Sequence, residues 1–149
     1  MSYTEDVAKK INELLEKNYD ANKGFMNSVD HVKSTNLKTY LKSKAVEREH
    51  FSDELKREII SFGEKPVDSG SFTGDIHRAW IDIKSAVSQN NEEAVLEEVQ
   101  RGEEASLEDY NKVLKETALP DSTKAMLTRQ RNAIKNSVDN AKRYEQIVS

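Results

Sequence analysis

Hydrophobic residues recur along most of this chain at alternating steps of three and four positions, which is the period of an amphipathic helix. The first such segment runs from about Thr4 to Lys33, and Ser2 with Glu5 fits a capping box at its start. One polar residue interrupts its hydrophobic stripe, which consists of Val7, Ile11, Leu14, Asn18, Ala21, Phe25, Val29 and Val32. The pattern predicts one long helix that buries a single face.

Three more long segments show the same period. The second begins near Leu37 and stops at Gly63, a residue suited to a left-handed helix cap. The third begins after Asn90 and runs to about Thr117, and the last follows a stop signal at Leu119-Pro120. We expect one core that includes Leu14, Phe25, Leu41, Phe51, Leu55, Val99, Leu107, Tyr110, Leu127, Ile134 and Val138.

The connection between the second and third long helices is unusually long. Pro, Gly and Ser concentrate from Glu64 to Thr73, and a shorter helical pattern with Ile76, Trp80, Ile83 and Val87 follows from about Gly74 to Gln89. This stretch is long enough to return along the bundle, as in folds of the ferritin type. The prediction is an all-α, ferritin-like four-helix bundle in one domain, 1–149, with a fifth, shorter crossover helix whose apolar face packs on the bundle.

Composition narrows the classes of partner. Charged residues make up 34% of the chain and the net charge is −4 with both signs interspersed, so no basic surface is available for nucleic acid. The absence of cysteine excludes disulfides and thiolate metal sites. No segment has the apolar length of a membrane span or the form of a secretory signal, so we expect a soluble, cytoplasmic protein.

Several short runs give the chain a family likeness. They are Glu16–Asp20 with Lys23–Phe25, Glu47-Arg48 followed by Phe51 and Glu54-Leu55, Ser71–Gly74 leading to His77–Lys84, and Leu96–Glu103. With these runs the sequence resembles an uncharacterised bacterial family of ferritin-like four-helix-bundle proteins, over nearly its whole length. The resemblance implies the fold and says almost nothing about activity, because the family is a domain of unknown function.

A ferritin-like fold raises the question of a metal site. Di-metal members use a Glu from each of two helices and a Glu-x-x-His from each of the other two. The second helix contains Glu47 and His50 in that spacing, and Glu103 interrupts the stripe of the third. Glu47, His50 and Glu103 are therefore candidate ligands for iron or manganese, although helical phasing turns His50 away from the core.

The competing interpretation is a structural polar layer at mid-bundle. The first and last helices place the neutral amides Asn18 and Gln130 where further carboxylate ligands would stand, and Arg48 points inward more directly than His50. Asn18, Arg48, Glu103 and Gln130 can satisfy one another and fix the register of the helices, as buried polar groups do in some bundles. In this interpretation the protein holds no cofactor.

Two functional classes remain open at this point. The first is a non-catalytic helical protein that acts by interaction or self-association, with a stress-associated role suggested by family analogy. Its protein partner is unidentified, and a homo-oligomer is one of the options. The second class is a ferritin-like metal binder or oxidase with an incomplete di-metal carboxylate site. Fold analogy alone does not choose between them.

Overall fold

The computed structural model describes residues 2–30, 32–68, 92–116 and 118–148, and these residues form four long helices and no strand. The helices have 25 to 28 residues each, which corresponds to rods of about 40 Å. The prediction of an all-helical fold with four long helices is confirmed. The predicted crossover helix around Trp80 lies outside the described residues. The helices are α1 Tyr3–Val29, α2 Thr35–Ser61, α3 Glu92–Glu116 and α4 Asp121–Val148.

Local capping sets the helix ends. Ser2 Oγ accepts a hydrogen bond from the Glu5 backbone N–H and donates one to the Glu5 carboxylate, so α1 starts where the sequence predicts. α1 ends at Val29, earlier than the predicted Lys33, and α2 starts at Thr35, earlier than the predicted Leu37. The reason is Ser34, whose side chain accepts from the Leu37 N–H and so opens a new helix at that point.

The end of α2 depends on a glycine. Gly63 has a positive φ of 77°, its N–H donates to the Ile60 carbonyl, and the next N–H, of Glu64, donates to the Ile59 carbonyl. This pair of bonds is a Schellman motif, which requires a left-handed residue at the first position after the cap. The predicted stop at Gly63 is therefore confirmed.

Side-chain contacts between helices give their directions. Asn22 in α1 donates to the Ala45 carbonyl, and Asn12 donates to the Lys65 carbonyl, so α1 and α2 are antiparallel. The backbone N–H of Ser34, just before α2, donates to Glu92 at the start of α3, so these two helices begin at the same end of the bundle. Tyr3 Oη at the start of α1 donates to the Ala118 carbonyl just before α4, so α4 begins at the same end as α1 and runs in the same direction.

The four helices pack as two close pairs, α1 with α2 and α3 with α4, and contacts between the pairs are sparser. Within the described residues the buried apolar side chains form two clusters: one around Leu14, Leu55 and Leu127, and another around Phe25, Leu41 and Val99. The prediction of a single continuous core is corrected in this respect, because buried polar side chains lie between the clusters. Of the predicted core residues only Leu107 is partly rather than fully buried.

Candidate functional site

A layer of polar side chains crosses the middle of the bundle, and each helix contributes to it. Asn18 of α1, Arg48 of α2, Glu103 of α3 and Gln130 of α4 are each at most 1% exposed. Each stands in the hydrophobic stripe of its helix, so the amphipathic periodicity that buries the apolar residues also buries these four. We call these residues, together with Tyr110, the polar layer.

Arg48 is the centre of the layer. Its Nη2 donates to Glu103 Oε1 at 2.7 Å, and its Nη1 donates to Asn18 Oδ1 at 2.9 Å. Burial alone would lower the pKa of Arg48, but the charge of Glu103 and its hydrogen bond outweigh that effect, so the pKa is raised and the guanidinium stays charged. The ion pair also joins the α1–α2 pair of helices to α3, because its two partners come from opposite pairs.

The pair is held by one hydrogen bond rather than two. Arg48 Nε and Glu103 Oε2 are buried and have no hydrogen-bond partner among the described residues. A buried ion pair offsets the cost of removing its charges from water only when geometry is good and the remaining donors and acceptors are satisfied. This pair is therefore expected to contribute to register and specificity more than to stability.

A second set of bonds extends the layer toward α4. Asn18 Nδ2 donates to the Leu14 carbonyl and to Tyr110 Oη at 2.9 Å, and Tyr110 Oη donates to Gln130 Oε1 at 2.6 Å. Burial raises the pKa of Tyr110 to about 12, so the phenol keeps its proton. The sequence predicts Tyr110 only as a core residue. The signal that could have found its polar role is the rule that a buried Tyr hydroxyl finds a partner.

Glu54 and Arg129 connect the layer to the surface. Gln130 Nε2 lies 3.3 Å from Glu54 Oε1, and Arg129 of α4 lies 2.5 Å from the other carboxylate oxygen of Glu54. The hydrogen bond from Arg129 is the main reason that the pKa of Glu54 is lowered. Neither residue was a candidate from the sequence, because their contact depends on the offset between two helices far apart in the chain.

Glu47 lies at the edge of the layer, half-buried. Its Oε1 is 3.6 Å from Lys44 Nζ, and Lys44 in turn donates to Ser137 Oγ of α4 at 2.5 Å. Burial raises the pKa of Glu47, the positive charge of Lys44 opposes that rise, and the negative charge of Glu103 adds to it. Glu47 and Glu103 are thus close enough to interact, as the metal interpretation requires.

The described side chains do not supply the ligand set of a di-metal centre. His50 is exposed, Glu103 is committed to Arg48 through one oxygen, and Asn18 and Gln130 bond other side chains of the layer. Among the side chains that the structure describes, no group of three or more Asp, Glu or His residues could hold a metal ion. The structure brings Glu47 near Glu103 but does not bring His50 to them.

The sequence also matches a known family. The family described as "Domain of unknown function (DUF2383)" matches residues 6–116, which covers nearly all of α1, and all of α2 and α3. The chain belongs to the DUF2383 family. Four of the five residues of the polar layer lie inside the region that matches DUF2383, namely Asn18, Arg48, Glu103 and Tyr110, whereas Gln130 lies beyond it.

Further comparison adds nothing on activity for this DUF2383 protein. The search of curated proteins found no match. Among the described residues no helix is long and apolar enough to cross a membrane.

Proposed function

We propose that this protein is a non-catalytic helical bundle that acts through its surface, by association with another protein or with itself. The supporting observation is the Arg48 guanidinium in the middle of the bundle, bonded to Asn18 and Glu103. A fixed positive charge stands where ferritin-like proteins gather carboxylates around metal ions. Because a metal cation beside Arg48 would meet a like charge in a poorly solvated interior, the arrangement favours an interior closed to metals.

The ferritin-like topology is part of this proposal. α2 and α3 begin at the same end of the bundle, so α2 finishes at the end opposite to the start of α3. A connection that returns along the bundle joins such helices in ferritin-like folds. The predicted crossover helix from Gly74 to Gln89 would provide this connection. We also propose that the protein is cytoplasmic and has a stress-associated role.

A second candidate function has one observation in its favour. Glu47 Oε1 and Glu103 Oε2 are both buried without a hydrogen-bond partner among the described residues. Two carboxylate oxygens would supply part of the ligand set of an iron or manganese site, but their negative charge is smaller than the positive charge of two metal ions. The alternative is therefore a metal-binding protein or oxidase with an incomplete centre.

Metal content separates the two candidates. The protein is purified without chelator, its iron, manganese and zinc are measured, and its thermal midpoint is compared with and without EDTA. We expect far less than one metal per chain and no change in the midpoint, because a chelator destabilises only a protein that binds metal in its folded state. A stoichiometric metal that is lost in Glu47→Gln, with an EDTA-sensitive midpoint, would replace the first proposal by the second.

A further inference from the structure

The outer face of the α1–α2 pair carries a groove of about 420 Å³. Small and polar side chains line its floor, including Asn22, Ala45 and Ser52. Two exposed hydrophobic residues also line it, Met26 of α1 at 46% exposure and Val46 of α2 at 43%. No residue of the polar layer lines this groove.

From Lys38 to Asp53, charges on the same face of α2 are segregated by sign; Lys56, which also lines the groove, follows them and lies over the Tyr19 ring. Lys38 and Lys42 precede Val46, and Glu49 and Asp53 follow it, at steps of three or four residues that place all five on one side of the helix. The four charged side chains are exposed, and none forms a salt bridge within the part of the chain that the structure describes.

This arrangement is unfavourable within a single chain. Lys38 and Lys42 are four residues apart, as are Glu49 and Asp53, and like charges at that spacing destabilise a helix. Lys56 and Arg57 follow Asp53 at three and four residues, but neither forms a salt bridge with it. Other charged residues of α2, such as Glu47 and Glu54, do have cationic partners inside the chain. The unpaired stripe therefore has the form of a surface whose partner lies outside the chain.

A second copy in antiparallel orientation is complementary to this stripe. A two-fold axis beside Val46 places Lys42 opposite the partner's Glu49 and Lys38 opposite the partner's Asp53. Because of the symmetry, each of these ion pairs occurs twice in the dimer. Both pairs need the same register, because they are nested around the same point of α2. The exposed Met26 and Val46 of the two copies then meet at the centre, where interfaces favour apolar residues and Met.

We propose that this face is a homodimer interface in which two α2 helices cross antiparallel through Lys38, Lys42, Val46, Glu49 and Asp53. The inference rests on the proposed function and names the surface and the partner through which it acts. Electrostatic complementarity determines the register and excludes the parallel orientation, since parallel copies would place like charges together.

Charge reversal tests the pairing. Oligomeric state is measured by sedimentation equilibrium over a concentration series for the wild type, Lys42→Glu, Glu49→Lys and the double variant. Lys135→Glu, an equal charge change at an exposed position on α4, is the matched control. Circular dichroism verifies that each variant folds, and all measurements are repeated at high salt, which screens exposed charges.

The wild type should dimerise, and each single reversal should weaken dimerisation by about tenfold or more, because it places like charges in contact twice. The double variant, which inverts each pair, should dimerise again. A mixture of Lys42→Glu and Glu49→Lys should form a heterodimer, since both of its pairs are opposite in sign.

Two results would overturn the interface. One is a wild type that stays monomeric at every concentration, and the other is a dimer that Lys42→Glu weakens no more than Lys135→Glu does. Either result would leave the proposed non-catalytic function standing if the protein is free of metal, because association through another surface or with another protein would remain. Stoichiometric metal would refute the proposed function whatever the oligomeric state.

Discussion

The substitution Glu103→Gln probes the buried ion pair directly. Arg48 Nη2 and Glu103 Oε1 are 2.7 Å apart, and the two side chains are 1% and 0% exposed. Glutamine has nearly the same shape, so the change removes a charge without opening a cavity and leaves the guanidinium buried without a counter-ion. Breaking a buried pair in this way costs about 3 to 5 kcal/mol.

The expected loss lies toward the lower end of that range. The amide oxygen of glutamine can still accept a hydrogen bond from Arg48, so the change removes the charge and keeps one bond. For a chain of this size a loss of about 3 to 5 kcal/mol corresponds to a decrease of about 6 to 20 °C in the thermal midpoint. Chemical denaturation and calorimetry at neutral pH measure both quantities.

A double-mutant cycle separates the pair from its surroundings. Arg48→Met leaves Glu103 buried and unpaired, and it also removes the donor to Asn18, so it should be strongly destabilising. Combining Arg48→Met with Glu103→Met removes both charges, and apolar replacements of whole buried pairs are often neutral or stabilising. The double variant should therefore be more stable than the sum of the single losses predicts.

The control for this series is Glu98→Gln on the same helix. Glu98 pairs with Arg101, and the two side chains are 15% and 64% exposed, so water reaches the pair, which should contribute about 1 kcal/mol or less. Two results would show that Arg48 and Glu103 are not energetically coupled. One is a stability loss for Glu103→Gln no larger than that for Glu98→Gln, and the other is a double variant whose loss equals the sum of the Arg48→Met and Glu103→Met losses.

Further predictions concern pH and the end of α2. The pKa of Glu47 is raised from its ordinary value of 4.5, so its ionisation costs stability as pH rises above 4.5. Chemical denaturation at several pH values measures the free energy of unfolding. At neutral pH this free energy should be equal or higher for Glu47→Gln than for the wild type. A gain that persisted in acid would contradict the raised pKa of Glu47. The pKa of Glu54 is lowered from 4.5 by Arg129. Its contribution to the stability of the fold is therefore present above pH 4.5 and is lost as the pH falls through the pKa of the folded state. Glu54→Gln should therefore be less stable than the wild type at neutral pH, with a difference that closes in acid. Gly63→Ala should cost about 1 kcal/mol, because φ is 77° while no atom lies within 4 Å of the added methyl group, so only backbone strain opposes it. An unchanged thermal midpoint for that variant would argue against the left-handed cap.

The amino-acid sequence by itself determined the four long helices and most of their buried faces. These features depend on local rules: a period near 3.6 residues, a serine at a helix start, and a glycine at a helix end. Ser2 and Gly63 act as the pattern indicates, and Leu14, Phe25 and Ile134 are buried as their spacing predicts. The boundary between α1 and α2 was less well predicted, because the serine that caps α2 comes before the apolar stripe begins.

The tertiary structure alone decided which polar side chains bond one another. The sequence places Asn18, Arg48, Glu103 and Gln130 near mid-height. Arg48 bonds Asn18 and Glu103, whereas Gln130 bonds Tyr110. Pairing across a bundle depends on the axial offset and rotation of whole helices, which arise from all of their contacts together. For the same reason the division of the core into two apolar clusters became visible only once the helices were assembled.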